Sequence, residues 1–496
     1  MMLQRAEAPL SVGEALAPIA AMLGLFLLGT FTIGLSGELL VAVLLVAAAV
    51  AGLIAARHGH GWGAIQRATG EKLAEVLPAI LILLAIGMLI STWVLAGTIP
   101  YLVYWGVHFI SPRWLVLTAF LATALMSLAT GTSWGSAGTI GVALMGTAAA
   151  LGAPLAATAG AVVSGAYFGD KMSPLSDSTN ICAIGAGADL YEHIRHMMYT
   201  AVPSFLLALA LYAFASRLLP ASGAAGAATG AGALLSDLER AFVLSPLVLV
   251  PPAIVVISIV RRVPPALAIS VSSLVAMALG IWLQGFGPAE AIRAAVAGFQ
   301  LDMLASAGTD PGSVGSDFAR LVERGGLYGM ADTLIVVISA FLLAGAMSAS
   351  GSLDLLIHRM LGAVRSVFGL IAATMAAGAT TIALTSHGGV TALVIGGLFQ
   401  GAYEERWLAP VNLSRSLEDS VTITEPLMPW TVSAVFMAGT LGVSTLEYAP
   451  WALFCYGGPI FSILIAAMYE RTGFGIRRVT EPLTSSSAPS VASGPP

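Results

Sequence analysis

What most constrains this chain is a succession of uncharged apolar runs of bilayer length. Residues 15–34, 39–56 and 76–96 contain no Asp, Glu, Lys or Arg. A helix crosses the hydrocarbon core with about 20 such residues, because every backbone polar group must be satisfied inside its own segment. Further spans are expected at 114–130, 200–219, 241–260, 264–283, 331–350, 367–383, 431–446 and 451–469. Charged residues make up only 9% of the 496, and 57% are hydrophobic, against roughly 25% charged in soluble domains. The expected fold is therefore an all-α polytopic membrane protein of about 11–13 membrane segments. The formal charge of −5 comes with no clustered basic footprint, which argues against nucleic-acid binding. Cys182 and Cys455 stand alone, so neither a disulfide framework nor a Cys/His zinc site is expected.

Lys and Arg are retained in short cytoplasmic loops. Arg5, Arg57, Arg67, Lys72, Arg261, Arg262, Arg471, Arg477 and Arg478 all fall on one side with these spans, which places both termini inside an inner cell membrane. The first apolar run lacks a cleavage site and is expected to remain as an anchor. A domain reading follows: 1–75 an N-terminal hairpin with a cytoplasmic amphipathic segment, 76–200 a first repeat, and 201–330 connecting helices with an external loop. Then come 331–446 as a second repeat, 447–478 as the final membrane helix, and 479–496 as a disordered tail. Residues 221–235, Gly/Ala-rich and uncharged, read as an external linker, and 302–324 as a longer polar loop. The stretches 137–153, 156–168 and 390–401 are apolar but broken by Gly and polar residues, which suits re-entrant hairpins and broken helices.

The repeat is visible by eye. Gly131-Thr132-Ser133-Trp134-Gly135 answers Leu384-Thr385-Ser386-His387-Gly388, and each is followed by an acidic motif in which Asp177-Ser178 answers Asp419-Ser420. The charge rule gives 76–96 and 331–350 opposite directions, so the two repeats would have inverted topology, as in many secondary transporters. Gly at one residue's remove lets the backbone unwind at Thr132-Ser133 and Thr385-Ser386 and turn polar groups toward a ligand; close helix packing would use the same small residues. A carboxylate at membrane depth costs about 2.5–3.5 kcal/mol even on lenient scales, so it must be paired or face a water-filled cavity. Asp177, amid Ser176, Ser178, Thr179 and Asn180, has the oxygen-rich setting that hard cations need. Asp170 and Lys171 could instead form a surface ion pair. In the second half, Arg415 could pair with Glu418 or Asp419 one turn away, which still leaves a carboxylate to explain. His387 could titrate near neutral pH or simply be packed. Gly131–Gly135 also matches G-x-S-x-G, but that elbow belongs on a strand-to-helix turn, and no enzyme is expected.

At these residues the chain resembles the NhaC family of Na+/H+ antiporters, whose relatives include Na+-lactate/malate exchangers. The matching runs are Gly131–Gly135 through Gly141-Val142-Ala143, the run from Ser164 to Asn180, the run from Asn412 to Ser420, and Pro429-Trp430. The resemblance implies two inverted repeats with re-entrant hairpins, elevator-like movement of a transport domain, and Na+ and H+ as the exchanged ions. Ser386-His387-Gly388-Gly389 and Glu425-Pro426 depart from the family pattern, and bear on ion selectivity and on the solute accepted.

The expected mechanism is exchange of Na+ against H+ at one buried carboxylate site that cannot hold both. Asp177 and Asp419 are the candidate carboxylates. Thr132, Ser133, Ser178, Asn180, Thr385, Ser386 and Ser420 complete the oxygen shell. Asp170, Lys171, His387, Arg415, Glu418 and Glu425 are candidates for charge balance or gating. No cofactor and no transition metal are expected; the partners are Na+, H+ and the lipid bilayer, and a homodimer is compatible with this reading. Two rivals stand beside it: a coupled exchanger of small organic anions or amino acids, with Arg415 or Lys171 holding the anionic group, and an intramembrane hydrolase using Ser133.

Overall fold

A computed structural model describes residues 10–34, 37–218, 224–362 and 364–479. The described residues are helical almost throughout, with one isolated bridge between Leu408 and Arg478. Nine helices among them are long and apolar enough to cross a membrane, or up to 11 spans if two bent helix pairs each count as one.

The first three helices are α1 (Val12–Thr32), α2 (Gly37–Arg57) and α3 (Trp62–Leu95). A capping box of Ser11 and Glu14 satisfies the free amides that open α1. Next come α4 (Thr98–Phe109) and α5 (Leu115–Thr130), the latter stopped by Gly131 in the left-handed conformation. The short α6 (Ser133–Ser136) runs through a π-turn at Ala137–Gly141 into α7 (Val142–Ala150). The helices α8 (Leu155–Met172), α9 (Asp177–Ala186) and α10 (Leu190–Leu218) follow.

The connecting region holds α11 (Ala224–Ala241), α12 (Val250–Val260), α13 (Pro265–Trp282), α14 (Pro288–Ala297) and α15 (Ser316–Val322). The second half begins with α16 (Ala331–Ala349), α17 (Ser352–Gly362) and α18 (Val367–Thr385). It continues with α19 (Gly388–Glu404), α20 (Pro410–Leu417) with a π-turn at Glu418–Thr422, α21 (Val432–Leu441), α22 (Thr445–Tyr448) and α23 (Leu453–Thr472).

Several expectations are corrected. The stretch read as an external linker is helical from Ala224 onward, in keeping with the high helix propensity of its alanines; residues 221–223 lie outside the described residues. The polar loop at 302–324 contains the short helices Leu301–Ala307, Pro311–Ser313 and Ser316–Val322. Residues 156–168 and 390–401 sit inside the uninterrupted helices α8 and α19. Gly160, Gly165 and Gly396 within them provide close packing, and the breaks fall outside them, at 173–176 and 386–387. The tail from 480 lies outside the described residues.

Candidate functional site

The two halves break at matching places. α5 ends at Gly131 (φ 69°, ψ 28°) and α18 at Ser386 (φ 59°, ψ 8°), both left-handed; the next residues, Thr132 and His387, are both extended. Hydroxyl pairs bridge each break: Thr130 to Ser136 at 3.2 Å, and Thr385 to Thr391 at 2.5 Å. Farther along, Ser176 caps the Thr179 amide and Thr431 caps the Ala434 amide, and α9 and α21 end on left-handed Gly187 and Gly442. The differences 386 − 131, 431 − 176 and 442 − 187 all equal 255. This register replaces the one read by eye. Asp170 corresponds to Glu425, Asp177 to Val432, and Asp419 to Ser164. Helices this rich in Gly, Ala and Ser match one another at several offsets, and only the backbone breaks select one.

The packing between halves is reciprocal. α9 lies on α19, where a Cβ on Gly396 would meet the Gly185 carbonyl oxygen at 2.3 Å; α21 lies on α6 and the π-turn after it, where Trp134 stacks on Phe436 at 4.3 Å. The position matching that aromatic stack is Gly389 against Ile181.

Two carboxylate clusters lie inside. Asp170, in the last turn of α8, accepts from Ser133 Oγ at 2.9 Å and from Ser178 Oγ at 3.4 Å. The neighbouring Lys171 makes an ion pair with Asp419 on the π-turn after α20, with side-chain exposures of 1% and 0%. Thr200 of α10 donates to the same Asp419 oxygen at 3.3 Å. Gly458 of α23 leaves room for it, since a Cβ there would stand 2.8 Å from Asp419 Oδ1. Glu418 accepts from Thr422 at 2.8 Å through Oε1. Asp419 Oδ2 and Glu418 Oε2 are both buried without a hydrogen-bond partner. A buried charge needs a partner, so these two oxygens are the acceptors open to a cation. Single π-turns recur at functional sites because they turn side chains out of helical register, and this one presents Glu418 and Asp419 at adjacent positions.

The predicted residues divide sharply. Asp177 is exposed, in the first turn of α9, and Asp170 is the inward carboxylate of that motif. Lys171 does not form a surface pair with Asp170 but crosses to the other half. Arg415 pairs with neither Glu418 nor Asp419: Nη1 donates to the Gly475 carbonyl at 2.5 Å, while Nε and Nη2 are buried without partners. Of the proposed oxygen shell, Ser133 and Ser178 reach a carboxylate. The side chain of Thr132 caps the Gly135 amide at 3.2 Å, Asn180 donates to the Ser176 carbonyl at 2.6 Å, Ser420 donates to the Ser416 carbonyl at 2.6 Å, and Thr385 bonds Thr391. The carbonyl of Ser386 accepts from the Val432 amide at 3.1 Å, and His387 Nδ1 has no partner. Thr200 and Gly458 were not legible from sequence, because each is one small residue in an apolar helix.

Comparison with known proteins gives this geometry its context. Residues 165–468 match the model of the Na+/H+ antiporter family. The chain belongs to that family. An uncharacterized Na+/H+ antiporter of Haemophilus influenzae is 43% identical over 94% of this chain and 97% of its own length. The Na+/H+ antiporter NhaC of Alkalihalophilus pseudofirmus is 35% identical over 92% and 96%. The arginine/ornithine antiporter ArcD of Halobacterium salinarum is 34% identical over 92% and 91%. The family match covers α9, α10 and the second half as far as residue 468 in α23, and with them the Lys171–Asp419 pair. Membership makes this chain a multi-span membrane protein of a transporter family.

Proposed function

We propose that the chain is a secondary antiporter exchanging Na+ for H+ by alternating access, with Asp419 at its ion site. The observation that carries this is the buried Lys171–Asp419 pair between the two halves, beside two partnerless carboxylate oxygens. The ammonium holds Asp419 Oδ1, so a Na+ that draws on both carboxylate oxygens has to displace it. When Na+ takes the carboxylate, the Lys171 ammonium gives up one proton to water, and when Na+ leaves it takes one back. The site's charge is then the same in both states, which keeps the desolvation cost of the two comparable. Glu418 Oε2 supplies a further ligand oxygen, and Asp170, held by Ser133 and Ser178, is a third buried carboxylate, next in sequence to Lys171. The opposite directions of 76–96 and 331–350 under the charge rule support inverted halves and cytoplasmic termini.

A second reading draws on Arg415, whose Nε and Nη2 lack partners, and on the ArcD relative. A buried guanidinium with two free donors matches a carboxylate. An open cleft of about 420 Å3, lined in part by Asp189, Glu192, Val411 and Arg477, lies one turn before Arg415 on α20. In this reading the chain exchanges amino acids or small organic anions.

Everted vesicles distinguish the two. Under Na+/H+ exchange, added Na+ dissipates an imposed pH gradient with the wild type, and Asp419→Asn loses that response at least tenfold. If wild-type vesicles ignore Na+ and Li+ yet exchange labelled arginine, ornithine or malate, the second reading replaces the first.

A further inference from the structure

Glu425 is not used in the ion site just described, yet it stands where the internal register puts the counterpart of Asp170. The two carboxylates stand beside matching positions. Asp170 accepts from Ser133, the first residue of α6, and Glu425 Oε2 lies against Gly388, the first residue of α19. Asp170 also accepts from Ser178, and the position 255 residues on from Ser178 is Ser433. Where the first half has a short acid and a serine, the second has a long acid and a glycine. A Cβ on Gly388 would lie 2.6 Å from Glu425 Oε2, so the extra methylene of Glu425 fills the space that the Ser133 side chain occupies in the other half. The glycine and the longer acid compensate each other within one fold, which keeps a carboxylate at the same place on both sides. The two acids are close enough for their charges to interact.

We infer that Glu425 is a proton-binding carboxylate of the transport cycle beside the Lys171 proton, and the structural counterpart of Asp170, so that each half contributes one buried acid at this position. The inference rests on the transporter reading above but not on which co-substrate is carried. The titratable groups that face Glu425 are Tyr167 and Asp170, both on α8. α19 sets Gly388 against it and α21 carries Ser433; on α22, the Tyr448 hydroxyl is already donated to the Pro426 carbonyl at 2.6 Å. No cation among the described residues is paired with it. With two acids of like charge so near, a proton on one favours ionisation of the other, which makes the pair suited to exchanging protons in sequence.

Infrared difference spectra of the purified, reconstituted full chain on acidification provide the test. The wild type is expected to gain protonated-carboxyl absorption, and Glu425→Gln to lose a distinct part of that band. The double variant Gly388→Ser/Glu425→Asp, which copies the first-half pair, is expected to restore it. Monodispersity in detergent shows that each variant is folded. An acid-induced band unchanged in folded Glu425→Gln would overturn the inference and leave Glu425 as a helix cap. Proton flux in the same vesicles keeps the two claims apart. Wild-type protein that shows the band but no Na+-driven flux refutes Na+/H+ exchange and leaves the Glu425 assignment standing.

Discussion

Lys171 and Asp419 come from different halves, 248 positions apart, and meet with both side chains excluded from solvent. Removing one member of such a pair strands the other, at a cost of about 3–5 kcal/mol, whereas replacing both with neutral groups costs far less. Lys171→Met and Asp419→Asn are therefore each expected to lower the unfolding temperature in detergent markedly, and the double variant to recover most of the loss. A double variant no more stable than the singles would show that the charges do not depend on each other. Asp419 could be picked from sequence because a carboxylate in an apolar stretch needs a reason. That Asp170 rather than Asp177 is the buried carboxylate could not be read from sequence. The two lie on opposite sides of the break at 173–176, around Pro174, which resets the helical phase, so no spacing rule carries burial from one to the other.

The element that fixes the site is the α5–α8 pair. Gly165 and Gly169, four residues apart on α8, bring the two backbones together: a Cβ at Gly165 would meet the Phe120 carbonyl oxygen at 2.3 Å, and one at Gly169 the Leu128 amide nitrogen at 2.3 Å. Small residues at this spacing are how membrane helices approach closely. Because the obstacles are backbone atoms, Gly169→Ala is expected to destabilise the protein by about 1–3 kcal/mol and to weaken transport by shifting Asp170 and Lys171, the next two residues. Gly70→Ala, in open space on α3, is the control and should be neutral or mildly stabilising, since alanine favours helix. Equal unfolding temperatures for the two variants would contradict the packing account. At this scale most long spans were legible, because an apolar run of bilayer length admits few structures. The hairpins were not, because Gly within α8 and α19 marks close contact, while the chain breaks at Gly131 and at Ser386, a non-glycine residue in the left-handed region.

Across the whole molecule, the two halves exchange elements: α9 packs on a helix of the second half, and α21 on one of the first. The carboxylate clusters lie where these exchanged elements meet, so a rearrangement of one half against the other changes the surroundings of Lys171 and Asp419 directly. A repeat of Gly/Ser/Thr motifs was readable from the sequence, although the acids read as following them do not correspond. Its register was not, since it is fixed by caps and left-handed turns with little sequence identity, such as Gly131 with Ser386 or Ser133 with Gly388. The central claim is that Na+ and the Lys171 proton compete for Asp419. Equilibrium binding of radioactive sodium to the purified protein, with proton release recorded in weakly buffered solution, tests it most directly. Saturable binding with about one proton released per Na+ is predicted for the wild type, and neither binding nor release for Asp419→Asn. Sodium binding that releases no proton, or that persists in Asp419→Asn, would contradict it.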